Sequence, residues 1–203
     1  MQIKFLILNS QFLIDLDRRL LLWANEHHTP ALDALMTFAS NRLVWFPAYA
    51  GLLLWLGWHF RARAWRLVPL LVLAVALADS ITSRLFKPLF GRLRPCHEPS
   101  LDGQLYLPDG CGGQFGFLSS HAANSVALAV FLALVLPTGG RFRLFKLTVA
   151  LWAALLSYSR IYLGAHYPTD VLGGALVGGL LAAATATLFR RWDGRRPLTT
   201  PAS

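Results

Sequence analysis

The chain of 203 residues is 55% hydrophobic and only 14% charged, with a mean hydropathy of +0.48. This composition excludes an ordinary water-soluble domain, and the long apolar blocks predict an integral membrane protein. The net charge of +9 would favour nucleic-acid binding in a soluble protein. Here the basic residues cluster at the ends of apolar blocks, which indicates membrane orientation and contact with anionic lipid headgroups. We therefore expect membrane lipids, and no nucleic acid, as partners.

Residues 1–40 predict two interfacial amphipathic helices ahead of the first membrane span. In the first, apolar residues repeat at helical spacing and charged residues fill the opposite face, which places the helix on the membrane surface. The apolar members are Phe12, Leu13, Leu16, Leu20 and Trp23, and the charged ones are Asp15, Asp17, Arg18 and Arg19. The second helix covers residues 30–40. Both helices either pack on the flank of the bundle or help to admit substrate.

Five membrane spans are predicted in the rest of the chain, at residues 43–60, 67–82, 121–136, 144–163 and 171–189. The last span carries a small-residue face suited to close helix packing, formed by Gly173, Gly174, Gly178 and Gly179. The predicted fold class is all-α, a polytopic membrane helix bundle. It divides into an N-terminal segment 1–40, a transmembrane domain 41–192 and a polar C-terminal tail 193–203.

The basic residues of the short loops predict the orientation of the bundle. Those between spans one and two, between spans three and four, and after span five fall on one side, which the positive-inside pattern assigns to the cytoplasm. The end of span two, the start of span three and the junction of spans four and five then meet at the outer face. Polar residues that are far apart in the sequence are thereby gathered at one membrane surface.

Three polar groups on the outer face carry candidate chemistry, and the first extends from Lys87 to Pro95. It places Lys87, Arg92 and Arg94 in a segment that two prolines and a glycine make stiff. Such a cluster either touches lipid headgroups or holds a phosphoryl group, with lysine acting as a point charge and arginine as a bidentate fork.

The second group consists of Ser119, Ser120 and His121 at the start of the third span. A serine can cap this helix, and the free N–H groups at its N-terminus form an anion site. His121 stands where it could hand a proton to a leaving oxygen. A single histidine here would more often be structural, but its place on the same face as the other two groups favours a catalytic role.

The third group joins the fourth span to the fifth. Arg160 offers a fixed positive fork suited to phosphate, and Pro168 suits the first turn of the following helix. This junction can place His166 beside Asp170, so that the carboxylate accepts from one ring nitrogen and leaves the other free as a nucleophile or base. Taken alone, such a pair is more often a structural hydrogen bond.

Together these groups resemble the three signature motifs of the type-2 phosphatidic acid phosphatase superfamily, which includes membrane lipid phosphatases and vanadium-dependent haloperoxidases. The motifs read Lys87-x6-Arg94-Pro95, Ser119-Ser120-His121 and Ser159-Arg160-x5-His166-x3-Asp170, and the resemblance covers residues 43–189. One position departs from the pattern, because the family usually has glycine where this chain has Ser120. That substitution concerns how closely the backbone approaches phosphate and removes no catalytic side chain.

The resemblance implies a phosphatase that works through a phosphohistidine. His166 would attack phosphorus, Asp170 would orient and polarise it, and His121 would protonate the leaving group and then activate water. The phosphoryl oxygens would be held by Lys87, Arg94, Ser119, Ser120 and Arg160. Because side chains supply this charge stabilisation, we expect neither a cofactor nor a metal ion. The sequence also offers no compact carboxylate cluster of the kind that Mg²⁺ prefers.

Four further residues have open roles. Asp79 lies inside the second span and is either functional or paired with Arg84 or another polar group. Arg92 is outside the family motif and could meet a second phosphate or a lipid headgroup. Cys96 and Cys111 predict a disulfide in an oxidising compartment, with a zinc site that includes His97 as the less favoured alternative.

We interpret the chain as a metal-independent lipid phosphatase of a bacterial-type inner membrane, multi-pass, with its site facing the periplasm. Its role would lie in phospholipid metabolism or the cell envelope. The first expectation for the substrate is undecaprenyl pyrophosphate. Phosphatidylglycerophosphate or phosphatidate phosphatase and lipid A 1-phosphatase are the alternatives. A haloperoxidase is disfavoured by the spans, and a non-catalytic lipid carrier by the intact His121, His166 and Asp170. The oligomeric state is left open.

Overall fold

The computed structural model describes the backbone of residues 2–194 and the side chains of residues 11–194. Within this part the chain forms eight α-helices and no strand. They are α1 Gln2–Glu26, α2 Pro30–Ser40, α3 Phe46–Phe60, α4 Ala64–Ser80, α5 Lys87–Phe90, α6 Ser120–Val135, α7 Arg141–Tyr162 and α8 Pro168–Trp192. A π-helical segment, Ile81–Phe86, joins α4 to α5. Most of the predicted C-terminal tail, residues 195–203, lies outside the described residues.

Three continuous helical stretches are long and apolar enough to cross a membrane, namely Arg42–Phe90, Arg141–Tyr162 and Pro168–Trp192. The first contains both α3 and α4, which the short 3₁₀ segment Arg61–Arg63 separates. Helix α6 is apolar but shorter, with 16 residues. Helices α3, α4, α6, α7 and α8 thus lie at the five predicted positions. The all-α polytopic fold is confirmed, and the chain is a multi-pass membrane protein.

The apolar core lies where α4, α6 and α8 meet, and many of its buried residues are small. Leu71, Ala74 and Ala78 of α4 pack there with Ala127 of α6 and Ala182 of α8. Large apolar side chains point away from the bundle instead, among them Leu54, Leu144, Leu172, Leu176 and Leu180. This inside-out distribution suits helices whose outer surface faces lipid tails rather than water.

Helices α6 and α8 approach so closely that their backbones are in contact. A Cβ atom built on Gly174 would lie 2.3 Å from the carbonyl oxygen of Ser119, and one on Gly178 would lie 2.1 Å from that of Ala123. Only glycine fits at these two positions. The predicted small-residue face is therefore used, although Gly179 does not take part, since a Cβ there would lie 3.9 Å from its nearest neighbour.

Helices α1 and α2 pack on the bundle beside α7 and α8, and α2 begins and ends where it was predicted. The five apolar residues that define the predicted amphipathic face of α1 are exposed, namely Phe12, Leu13, Leu16, Leu20 and Trp23. The placement of Asp17 on the polar face toward water was wrong, because its side chain is only 3% exposed and points into the bundle. The physical reason is a set of buried polar contacts at the head of α8, which the sequence pattern of α1 does not reveal.

We predict that Gly178→Ala destabilises the fold by about 1–3 kcal/mol, because the new methyl group overlaps a backbone oxygen of α6. Thermal unfolding of the purified protein in detergent measures the effect. Gly179→Ala is the matched control on the same helix, and we expect it to be neutral or to stabilise by about 0.5–1 kcal/mol through helix propensity. Equal unfolding temperatures for the two variants would contradict the close packing of α6 on α8.

Candidate active site

The first motif is fixed by backbone pairing with the loop that precedes α6. Gly91 ends α5 with φ of 58°, a left-handed conformation that favours glycine. The Arg94 N–H then donates to the Gln114 carbonyl at 2.9 Å, and the Gly116 N–H donates to the Arg92 carbonyl at 2.8 Å. These two hydrogen bonds hold both arginines on a short extended segment that leads toward α6.

A disulfide between Cys96 and Cys111 closes the same loop, with their Cα atoms 5.8 Å apart. The loop also packs on Arg94, since a Cβ atom at Gly112 would lie 2.8 Å from its guanidinium. The Nε2 atom of His97 is 3.0 Å from the Gly112 carbonyl. Because both sulfur atoms belong to the disulfide, they offer no thiolate ligands, and the alternative zinc site with His97 is not formed.

The second motif begins α6 directly against α8. Ser119 is fully buried, its hydroxyl accepts from the Ala122 N–H at 3.5 Å, and its own N–H donates to the Asp170 carbonyl at 2.9 Å. The Ser120 hydroxyl accepts from Thr82 at 2.9 Å. The residue that departs from the family pattern therefore uses its side chain to contact the π-helical segment that follows α4.

The third motif wraps around the end of α7. The carbonyl of Arg160 accepts from the N–H groups of Ala165, at 3.1 Å, and His166, at 3.0 Å. Gly164 makes the reversal possible with φ of 67°. The Arg160 side chain is 8% exposed and donates to the hydroxyl of Ser40 at the end of α2. This turn places His166 beside the arginine and directly before α8.

His166 and Asp170 form a fully enclosed pair, with exposed fractions of 1% and 0%. The Nδ1 atom of His166 lies 3.6 Å from Oδ2 of Asp170, which also accepts the Tyr167 N–H at 3.1 Å. Nδ1 has no hydrogen-bond partner among the residues whose side chains are described. The contact is thus electrostatic and slightly longer than a hydrogen bond. It turns Nδ1 toward the carboxylate and leaves Nε2 for a reacting group.

The electrostatic environment of His166 favours the neutral imidazole. Burial lowers its pKa well below the usual value, and the positive charges of Arg94, Arg160 and Lys87 lower the pKa further. At neutral pH the ring therefore keeps a free lone pair. Arg160 and the ring of His166 also interact electrostatically with His121, so residues from all three motifs lie close together. The catalytic and phosphate-binding candidates of the three motifs lie close together in the structure, and Ser120, whose hydroxyl accepts from Thr82, lines the same cavity as His121.

An apolar cavity of about 390 Å³ opens beside these residues, between α3, α4, α6 and α7. Its polar end includes His121, Arg42 and Asp79, while leucine, valine and aromatic side chains line the remainder. Asp79 accepts a hydrogen bond from Asn124 Nδ2 at 2.9 Å, which gives it the neighbouring polar partner that was one of the options from the sequence. The shape and lining suit an acyl or prenyl chain.

Arg92 has partners that differ from both of those expected. Its Nη1 atom donates to Asp170 Oδ1 at 2.8 Å and to Thr169 Oγ1 at 2.7 Å, and its Nη2 atom donates to Asp17 Oδ2 at 2.6 Å. The guanidinium also stacks on the ring of Tyr167, 4.1 Å from its centre. Two carboxylates, those of Asp17 and Asp170, thus occupy the terminal nitrogens of Arg92 in this structure.

Three residues near the site were missed from the sequence. Asp17 reaches the site through Arg92, and Ser40 accepts from Arg160. Arg42 follows α2, and its charge acts on Arg94, although no carboxylate among the residues whose side chains are described pairs with it. The one sequence signal for Arg42 is its position as a basic residue at the start of the first predicted span, which by itself does not distinguish a site residue from a membrane-edge charge.

A family model described as the PAP2 superfamily matches residues 67–193, and the chain belongs to this family. It is 40% identical to a lipid A 4′-phosphatase of Bacteroides thetaiotaomicron over 83% of this chain and 75% of that protein. It is 29% identical to an undecaprenyl-diphosphatase of Sulfolobus acidocaldarius over 78% of this chain and 71% of the relative.

The solved structure of Aquifex aeolicus LpxE has the same fold, with a TM-score of 0.63 and 26% identity. The match covers 85% of this chain and 95% of the Aquifex chain. Together with the family match, this makes the protein a membrane-bound hydrolase of the lipid phosphatase class. The predicted family is confirmed on independent grounds.

We predict that replacing both Cys96 and Cys111 by serine lowers stability by about 3 kcal/mol, the entropic effect expected for a bridge that closes a loop of this length. The rate of phosphate release should also fall, because the closed loop packs on Arg94. Thermal unfolding and a phosphate-release assay measure the two effects. Wild-type protein treated with a reductant is the control and should match the double variant. Free thiols in untreated protein, with no response to reductant, would contradict the disulfide.

Proposed function

We propose that this protein removes a phosphate group from lipid A or a closely similar phosphorylated glycolipid at the outer face of the cytoplasmic membrane. The observation that carries the proposal is the buried pair of His166 and Asp170, which faces three cationic side chains beside an apolar cavity. A nucleophile, an anion site and a place for a lipid chain thus occur together.

In the first chemical step, Nε2 of His166 attacks phosphorus and the bond from phosphorus to the leaving oxygen breaks. The imidazole gains positive charge as the phosphorus–nitrogen bond forms, and Asp170, 3.6 Å from Nδ1, stabilises that charge. The lowered pKa of His166 supports this role, because the ring is unprotonated and able to attack at neutral pH.

The phosphoryl oxygens are held by cations from two different parts of the chain. Lys87 and Arg94 belong to the segment after α4, and Arg160 to the end of α7. Ser119 and the free N–H groups at the start of α6 complete the cradle, with the positive end of the helix dipole pointing toward it. These groups are preorganised for the charge that develops on the oxygens in the transition state.

His121 serves as the general acid and then the general base. It lies in the first turn of α6, close enough to interact electrostatically with His166, and it lines the polar end of the apolar cavity. Once the negative charge of a bound phosphate offsets the cations that act on His121, the ring can take up a proton from solvent, and a leaving group whose chain occupies the cavity would depart past the ring and receive that proton. Water then takes the place of the leaving group, His121 accepts its proton, and the phosphorus–nitrogen bond breaks to release phosphate.

Two features support a site that faces the periplasm. The basic residues of the short loops between spans one and two and between spans three and four, and those after span five, lie on the side opposite the motifs, which the positive-inside pattern assigns to the cytoplasm. The loop that carries Cys96 and Cys111 lies beside the motifs, and its disulfide fits an oxidising compartment. Glycolipids that are modified after export would meet the site on that side.

The relatives favour lipid A over the undecaprenyl pyrophosphate first expected from the sequence. The lipid A 4′-phosphatase is 40% identical and the undecaprenyl-diphosphatase 29% identical, over similar shares of this chain. A lipid pyrophosphate is kept as the second candidate because of Arg42. This unpaired cation at the polar end of the cavity could hold the phosphate that remains on the departing lipid.

We predict that purified protein releases phosphate from lipid A faster than from undecaprenyl pyrophosphate, phosphatidylglycerophosphate or phosphatidate. The rates should be unchanged by EDTA, since cationic side chains carry the phosphate charge. Inorganic phosphate released in detergent micelles is the measurement. A higher rate on undecaprenyl pyrophosphate, lost in Arg42→Gln, would favour the second candidate. Inhibition by EDTA that added metal reverses would overturn the metal-independent mechanism.

We predict that His166→Ala lowers kcat by about 10⁴-fold or more, because no other group can form the covalent intermediate. Steady-state phosphate release measures the loss, with unfolding temperature as the check on folding. His27→Ala, at an exposed position in the turn that follows α1, is the control and should keep the wild-type rate. A His166→Ala enzyme that kept more than a tenth of the rate would show that the nucleophile lies elsewhere.

A further inference from the structure

The N-terminal helix α1 contributes a buried carboxylate next to the proposed catalytic pair. Asp17 is 3% exposed, whereas its neighbour Asp15 on the same helix is exposed. A buried carboxylate is costly unless its oxygens are paired and hydrogen-bonded. Both oxygens of Asp17 are satisfied, and all of their partners belong to residues that surround Asp170.

A single guanidinium joins the two carboxylates. Arg92 donates through Nη2 to Asp17 at 2.6 Å and through Nη1 to Asp170 at 2.8 Å. Both distances are those of strong charge-assisted hydrogen bonds. The guanidinium is therefore held between two carboxylates. Asp170 belongs to the catalytic pair, and Asp17 lies outside it.

Asp17 also contacts the head of α8, where Asp170 resides. Its Oδ1 atom accepts the Thr169 N–H at 2.9 Å, and its Oδ2 atom accepts the Thr169 hydroxyl. The N-terminal N–H groups of a helix lack partners within the helix, and the positive end of its dipole favours an anion there. Asp17 thus caps α8 from another helix, one residue before Asp170.

The catalytic pair depends on these contacts because it has few others. Oδ1 of Asp170 accepts from Arg92, while Oδ2 accepts, among the described residues, the Tyr167 N–H alone and faces Nδ1 of His166 at 3.6 Å. If the ion pair between Arg92 and Asp17 were lost, the guanidinium would move toward Asp170 or away from it. Either movement would change the direction and the effective charge of the carboxylate that faces the imidazole.

We propose that Asp17 is a positioning residue for catalysis. It acts through Arg92 and Thr169 to keep the carboxylate of Asp170 oriented toward the imidazole of His166. The inference rests on the proposed function, since it assigns Asp17 to the same phosphoryl transfer. Helix α1, which lies outside the residues matched by the family model, thereby becomes part of the active site. The expected consequence of losing the charge of Asp17 is a slower chemical step with unchanged substrate binding.

The test compares Asp17→Asn with Asp15→Asn, two variants of one helix with the same change in charge. Asp17→Asn keeps an oxygen for the Thr169 N–H and loses the ion pair with Arg92. We expect kcat on the lipid substrate to fall about 10- to 100-fold, the range seen when partners of metal-bound histidines are removed, with KM unchanged. Asp15→Asn should keep wild-type kinetics, and Asp17→Glu should recover part of the loss because it restores the charge.

A second comparison separates positioning from general stability. If Asp17 acts through Arg92, adding Asp17→Asn to Arg92→Gln should cost no further activity, because contacts in one network are not additive. Two losses that multiply would overturn the proposed route. Should Asp17→Asn fail to fold, the pair Asp17→Glu and Asp17→Gln carries the same test, since these differ only in charge.

The outcomes distinguish this inference from the proposed function. Wild-type protein that releases no phosphate from any lipid phosphate would overturn the function itself. Active wild-type protein together with an Asp17→Asn variant as fast as Asp15→Asn would overturn only the role of Asp17. A raised KM with unchanged kcat would also overturn it, because that result would place Asp17 in substrate binding.

Discussion

The site depends above all on how closely α6 approaches α8. Gly174 and Gly178 let the two backbones touch, and the N–H of Ser119 then donates to the carbonyl of Asp170 at 2.9 Å. This contact brings the start of α6, with its anion-binding N–H groups and His121, against the start of α8, with its carboxylate. Two motifs that are separated by a whole transmembrane hairpin become one surface because two positions lack a side chain.

Charge balance is the second constraint, since several cations lie together at a membrane edge. Arg160 is almost fully buried, and Lys87 and Arg94 are partly buried near it. Their mutual repulsion is partly offset by carboxylates, with Asp170 acting on Arg94, Asp79 on Lys87 and Asp109 on Arg160, and a phosphate group would neutralise the cations further. The same arrangement keeps His166 neutral. A single network of charges thus prepares both the binding of an anion and the attack on it.

Much of this architecture can be predicted from the sequence. The features that cannot be predicted share a physical reason. Long apolar blocks fix the spans, because each span must satisfy its backbone internally. The spacing of the three motifs predicts that their charged residues meet, because all of these residues lie at span ends on the same face of the bundle. Asp17 and Ser40 could not be found this way, because their roles arise from how α1 and α2 dock on the bundle. Hydrophobic periodicity does not encode that docking, and it assigned Asp17 only to the polar face of an amphipathic helix.

The central claim is that phosphoryl transfer passes through His166, and a chemical trap tests it most directly. Wild-type protein would be mixed with a ³²P-labelled lipid phosphate, quenched in alkali within one turnover, and mapped by peptide mass spectrometry. The account predicts an acid-labile, alkali-stable phosphate on the peptide that contains His166, and none in the His166→Ala variant. Label on another residue, or turnover without any labelled protein at times when product accumulates, would contradict it.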